Sequence, residues 1–318
     1  MQPEDIFYLI AGLIILIAGG EVLVRGASAI AYRLQISRMV VGLTIVAFGT
    51  SSPELFISVQ SALKGSPDMA MGNVVGSNIC NLGLVLGITA LIAHIPVDKS
   101  SLKIDWPMAM GSAVLLYILV HFGALNWVEG VGFVLVLITY LTYVIRKSRK
   151  DNKAKDLLAA EAGIDVTREQ ATTAEWIKSF IFIAVGCTGL YFGSEWFVGS
   201  AENIFSEFIE PRVVGLMVLA LGTSLPELAT SVVAAYKKNT DLALGNLIGS
   251  NIFNVLSILG ITSIVKPIAV SPEMMSDMLW MLGITFIIFP FMWYKRKLTR
   301  IHGVLLLAIY GIYVYSIL

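Results

Sequence analysis

Residues 40–64 of this chain return 173 positions later as residues 213–237, with 15 identities in 25 aligned positions, and residues 68–89 return as 241–262 with 13 in 22. A doubled segment means that the fold is assembled from two copies of one unit. Both copies lie inside long apolar stretches. Of the 318 residues 57% are hydrophobic and 14% charged, against about one half and one quarter in a soluble domain. About 20 apolar residues cross a bilayer as a helix. Such stretches lie near 6–33, 37–63, 68–94, 104–121, 125–145, 174–205, 211–236, 241–265, 276–294 and 300–318. The chain therefore reads as an all-α polytopic membrane protein with ten transmembrane helices. Met1-Gln2-Pro3-Glu4-Asp5 lacks the basic flank of a signal peptide, so the first stretch reads as a retained span. A net charge of zero gives no reason to expect a nucleic-acid partner. Cys80 and Cys187 have no zinc or redox spacing and read as packing residues.

Ten spans put both termini on one side and divide the loops into two sets. Eighteen lysines and arginines fall on one side, among them Arg33, Arg38, the cluster over 146–155, Lys237 and Lys238; only Lys64, Arg212 and Lys266 fall on the other. The positive-inside rule makes the first side cytoplasmic and both termini extracellular. Five spans separate the two copies, an odd number, so the copies cross the membrane in opposite directions. The expected architecture is two inverted five-helix repeats, residues 1–146 and 174–318, joined by a charged cytoplasmic linker over 147–173. Inverted repeats of this size are a recurring plan of secondary transporters, with the substrate site where the copies meet near the midplane.

Each copy carries Gly-Thr-Ser-x-Pro-Glu in mid-span, at 49–54 and 222–227. Proline removes a helical hydrogen bond and clashes with the preceding turn, so helices 2 and 7 should break just before Pro53 and Pro226. The break frees the carbonyls of Ala47, Thr50, Ala220 and Thr223, and Thr50, Ser51, Thr223 and Ser224 add hydroxyls. Glu54 and Glu227 follow within a turn. A carboxylate at bilayer depth is expensive and marks function, and an inverted repeat brings these two to one locus from opposite sides. The alternative, pairing with an intramembrane base, has only Arg25 as a candidate, which cannot serve both. The next span of each copy carries Ser77 and Asn81, or Ser250 and Asn254, four residues apart on one helix face. The intervening glycines permit close helix approach, so these polar pairs read as either packing or lining.

Oxygen ligands with carboxylates among them suit calcium or sodium. Two carboxylates neutralise one divalent ion or two monovalent ions, so one site can hold either species but not both, which is the physical root of exchange. A proton-coupled calcium antiporter on the same fold, or a passive cation channel, is the alternative. No nucleophile–base pair or metal-enzyme signature argues for an enzyme.

Both Gly-Thr-Ser-x-Pro-Glu-Leu segments and both Gly-Ser-Asn-Ile-x-Asn segments resemble the α-repeats of the calcium/cation antiporter superfamily, and above all the prokaryotic sodium/calcium exchangers. The resemblance implies an antiporter exchanging Ca2+ for Na+ in the cell membrane, without cofactor, functional as a monomer in the lipid bilayer. It implies calcium binding by Glu54 and Glu227 with the carbonyls of Thr50 and Thr223. Flanking sodium sites would come from Ser51, Ser77, Ser224 and Ser250 with the carbonyls of Ala47 and Ala220, and Asn81 and Asn254 join the lining. It also implies that the first and sixth helices slide past an eight-helix core. Asn254 stands where potassium-dependent relatives and some archaeal exchangers carry aspartate, which argues against potassium co-transport; Gly-Thr-Ser-x-Pro-Glu stands where the proton-coupled branch has Gly-Asn-x-x-Glu, which favours sodium over protons. Glu21 and Glu195 hold corresponding places in the first and sixth spans, 174 apart. Glu21 can pair with Arg25 one turn on, and a satisfied pair or a part in gating is expected of these two.

Overall fold

The computed structural model describes residues 3–161, 172–205, 222–269, 271–272 and 274–317. These are helical almost throughout. In chain order the helices are α1 (Pro3–Leu34), α2 (Arg38–Thr50), α3 (Ser52–Leu63), α4 (Pro67–Ile92) and α5 (Ser101–Phe122). They continue with α6 (Trp127–Glu161), α7 (Thr173–Phe205), α8 (Leu225–Tyr236), α9 (Thr240–Val265), α10 (Met274–Trp293) and α11 (Arg300–Ile317). Among the described residues, eight of these are long and apolar enough to cross a membrane alone, and α2 with α3, bent by 46°, makes a ninth. α8 is the described part of the stretch expected over 211–236; residues 211–221 lie outside the described set, as do 162–171 of the expected linker. The helix expected over 125–145 runs on to Glu161. No glycine or proline falls between Phe133 and Glu161 to stop it.

The helices sort into centre and periphery. In α4 and α9 the most apolar windows are 72% and 83% buried, against 28% in α1, α5, α6 and α7. The peripheral helices expose Phe7, Ile14, Leu135, Phe180 and Ile301, an apolar exterior that only hydrocarbon can solvate. α4 and α9 carry the small and polar residues because they face protein on every side.

The loops meet in the sets that the charge bias defines. Ile95–Pro96 pairs antiparallel with Lys297–Leu298, and Arg38 Nη1 donates to Asn239 Oδ1 at 2.6 Å; all four segments belong to the lysine-rich side. On the other side Leu125 bridges Ile268, and Ser271 N–H donates to Asp68 Oδ1 at 2.8 Å.

Two close approaches position everything else. α1 and α7 lie antiparallel along a seam of glycines. A Cβ on Gly12 would lie 2.8 Å from Gly193 O, one on Gly19 2.9 Å from Leu190 N, and one on Gly26 3.0 Å from Ser179 O. Where α2 crosses α9, a Cβ on Gly42 would lie 2.4 Å from Leu242 O and one on Gly245 2.3 Å from Met39 O. Small residues at such contacts let backbones touch, the main source of helix attraction in lipid.

The turn after α3 uses Gly65 at φ 85°, whereas its counterpart after α8 is Lys238 at φ 61°. A side chain in the left-handed region is strained where glycine is not. Lys238→Gly is therefore expected to raise stability by about 1 kcal/mol, read as a higher unfolding midpoint in detergent; an unchanged or lower midpoint refutes it.

Candidate cation site

The chain bends at Ser51, with φ −87° and ψ 6°, and α8 is entered from Ser224 with nearly the same backbone, φ −89° and ψ 1°. α3 and α8 start immediately after, with Pro53 and Pro226 in the first turn, where a missing N–H has no intrahelical partner to lose. The bend between α2 and α3 thus falls two residues before Pro53, and Ser224 stands at the same distance from Pro226. In consequence the carbonyl of Ala47 is not freed: it accepts the Ser51 N–H at 3.0 Å. Leu55 N–H bonds to Ser51 O at 3.2 Å, and the Thr50 carbonyl between them receives neither bridging bond. At the start of α8 Leu228 N–H bonds to Ser224 O at 3.0 Å. Ala220 lies outside the described residues.

Glu54 and Glu227 sit in the first turns of α3 and α8 and are both 0% exposed. The helix N-terminus favours negative charge there. The hydroxyls around Glu227 come from both copies at once. Ser51 Oγ donates to Glu227 Oε1 at 3.0 Å, and Ser250 Oγ to the same oxygen at 3.3 Å. Ser77 Oγ lies 3.1 Å from Thr223 Oγ1, and Thr50 Oγ1 lies 3.3 Å from Asn246 Oδ1. Glu227 Oε2, both carboxyl oxygens of Glu54, both side-chain polar atoms of Asn81 and Oδ1 of Asn254 are buried without a hydrogen-bond partner among the described residues. Sealed carboxylate oxygens without donors are tolerable only beside a cation or a proton. Carboxylates, hydroxyls and amide oxygens offer hard donors. Among the described residues no group of three or more His, Cys, Asp or Glu is placed to hold a metal, so the two carboxylates depend on neutral oxygens to complete a shell.

The sequence reading missed the amides that hold this arrangement. Asn73 Nδ2 donates to Ser58 Oγ at 3.0 Å, and Asn246 Nδ2 to Ser231 Oγ at 3.2 Å, the same bond in each copy. Asn73 also reaches the carbonyl of Glu54 at 3.2 Å, fixing the first turn of α3. At the centre, Asn78 Nδ2 donates to Asn251 O at 3.3 Å and Asn251 Nδ2 to Asn78 O at 3.1 Å, a reciprocal pair joining α4 to α9. Asn254 Nδ2 adds a bond to Asn78 Oδ1 at 3.0 Å. The signal that could have found them is their recurrence at the 173-residue offset. Both central helices also widen into π turns, over Asn81–Val85 and Asn254–Leu259. Such bulges gather at functional sites, and each starts at an asparagine named from sequence.

The model of the family described as "Sodium/calcium exchanger protein" matches residues 5–146 and 178–318. The putative antiporter CaxA of Alkalimonas amylolytica is 39% identical over 272 residues, covering 84% of this chain and 82% of that protein. The sodium/calcium exchanger MaX1 of Methanosarcina acetivorans is 31% identical, covering 98% of this chain and 97% of its own. A solved structure of the sodium-calcium exchanger NCX_Mj superimposes over 100% of both chains with a TM-score of 0.84 at 29% identity.

Proposed function

The chain belongs to the sodium/calcium exchanger family, and from that premise we infer that it is a secondary antiporter that exchanges Ca2+ for Na+ across a membrane. It is a transporter, not an enzyme, and the two ions are its substrates. The observation that carries this reading to particular residues is the pair of sealed glutamates with oxygens lacking donors, lined by hydroxyls from both copies.

In the proposed site Glu54 and Glu227 hold calcium together with the carbonyls of Thr50 and Thr223. Ser51, Ser77, Ser224 and Ser250, with the Ala220 carbonyl and the lone pair of the Ala47 carbonyl that Ser51 N–H leaves unused, hold sodium beside it, and Asn81 and Asn254 line the same cavity. Calcium neutralises both carboxylates, and so do sodium ions in sufficient number. Either load makes the site neutral enough to leave contact with water, whereas the empty site carries charge that resists dehydration. That difference couples the two fluxes.

The architecture proposed for this cycle is ten transmembrane helices in two inverted five-helix repeats, 1–146 and 174–318, with helices 2 and 7 broken and a cytoplasmic linker over 147–173. Its support is the sequence repeat, the bend at Ser51 and the matching backbone at Ser224. Both termini are extracellular in the cell membrane, by the lysine and arginine bias. One chain in the bilayer contains the whole site, so a monomer suffices. Alternating access follows if the α1 and α7 pair slides past the remaining helices.

Isotopic calcium uptake into proteoliposomes tests the exchange. An outward sodium gradient should drive uptake, while a pH gradient alone, or a potassium gradient alone, should not. Uptake driven by protons without sodium would replace this reading with proton coupling, and currents beyond carrier turnover would replace it with a channel.

A further inference from the structure

Two acids and two lysines outside the site are related by the repeat. Glu21 on α1 matches Glu195 on α7 at an offset of 174, and Lys64 after α3 matches Lys237 after α8 at 173. The structure treats the two sets differently. Glu21 Oε1 meets Lys237 Nζ at 2.8 Å and also pairs with Arg25. Glu195 and Lys64 are exposed, and neither has an ion-pair partner among the described residues.

The packing beneath the charges shows the same asymmetry. Gly20, beside Glu21, presses on α8: a Cβ there would lie 3.3 Å from Ala229 O and 3.4 Å from Thr230 N. The residue matching Ala229 in the first copy is Phe56, which is 61% exposed. α7 has no packing on α3 comparable to that of α1 on α8. One end of the glycine-sealed pair is docked on a half-helix, and the other end is not.

We propose that Glu21–Lys237 and Glu195–Lys64 are alternate latches, each closing one face of the transporter while the other is broken. The proposal rests on the antiporter reading and its inverted topology. With that topology Lys237 lies at the cytoplasmic face and Lys64 at the external face, so the structure has its cytoplasmic latch made and its external latch open. Because α1 and α7 touch backbone to backbone, they move together, and docking Glu195 on Lys64 requires withdrawing Glu21 from Lys237. Side chains of Glu21 and Lys237 remain 37% and 29% exposed, which keeps the pair weak and reversible. A latch broken in every cycle needs that weakness.

The test uses the full chain in proteoliposomes. In the Lys64→Cys/Glu195→Cys variant, a bis-methanethiosulfonate reagent long enough to span an ion pair is expected to join the two thiols, releasing sulfinate, as read by mass spectrometry, and to stop sodium-driven calcium flux until the link is reduced. Adding Glu21→Gln, which weakens the other latch, should raise its yield about 3-fold. Failure to cross-link while the reduced variant transports normally, or a yield indifferent to Glu21→Gln, overturns the latch and leaves the exchanger reading standing. Absence of sodium-driven flux in the unaltered protein would instead overturn that reading. Should the cysteine pair not fold, charge reversal reads the same point. Glu21→Lys and Lys237→Glu each slow exchange and the double variant recovers it; a double variant no faster than the singles overturns the proposal.

Discussion

Replacing Glu54 or Glu227 by alanine weakens calcium binding roughly 100-fold, equivalent to about 2.7 kcal/mol, and reduces sodium-driven calcium flux in proteoliposomes to that of empty vesicles. Each carboxylate is fully sealed from solvent. Removing one leaves a divalent ion facing a single compensating charge where water cannot substitute. Glu54→Gln separates charge from shape, since it keeps the volume and one acceptor oxygen but turns the other into a donor and loses the anion, and it should fail as completely as alanine. Glu54→Asp keeps the charge one methylene short and should retain measurable exchange. If Glu54→Gln exchanges at the normal rate, the carboxylate does not hold the ion and the site assignment fails. Glu227 carries a second expectation. Its Oε1 accepts from Ser51 and Ser250, so Glu227→Ala also leaves two buried hydroxyls without their acceptor and should destabilise the fold more than the other substitution.

Gly245→Val is expected to abolish folded protein, and Gly245→Ala to lower stability by about 3 kcal/mol. The added Cβ would lie 2.3 Å from Met39 O and 3.1 Å from Leu43 N. Both neighbours are backbone, so no rotamer change relieves the clash and α2 must move off α9. That shift carries Thr50 away from Asn246, so surviving Gly245→Ala protein should also exchange slowly. Unfolding midpoints in detergent, with calcium flux on the same preparation, decide it; a wild-type midpoint for Gly245→Ala would mean that the crossing is looser than described. Gly76 is the control, because a Cβ there meets nothing within 4 Å, and Gly76→Ala should be tolerated.

Much of this was legible before coordinates because membranes restrict the alphabet. A glutamate in an apolar stretch has few meanings, and finding Glu54 and Glu227 at one offset left fewer still. The helical class and the grouping of loops by charge followed from the same restriction. What escaped was whatever depends on one residue of register. Pro53 announces a break but not that Ser51 takes it, so the bond kept by Ala47 could not be foreseen. Asn73, Asn78, Asn246 and Asn251 stood in plain view among glycines. An amide in such a run reads equally as packing or as scaffold until its partner on another helix is known. The extension of α6 to Glu161 was hidden because charge suggests a linker, although a helix needs no apolar face once it leaves the bilayer. Glu21 showed its neighbour Arg25 one turn away, but nothing local could reveal Lys237, which lies 216 positions on.

The glycine contacts between α1 and α7 run from Gly12 to Gly26, about 21 Å at 1.5 Å per residue. Backbone packing holds the middle of that joint, and charged side chains fasten both ends, Arg33 on the Glu175 carbonyl at one and Asp5 on Asn203 at the other. It behaves as a rigid crossbar reaching from one leaflet to the other. With no room between the two backbones for a side chain, a displacement of one helix at either end is taken up by its neighbour along the whole contact.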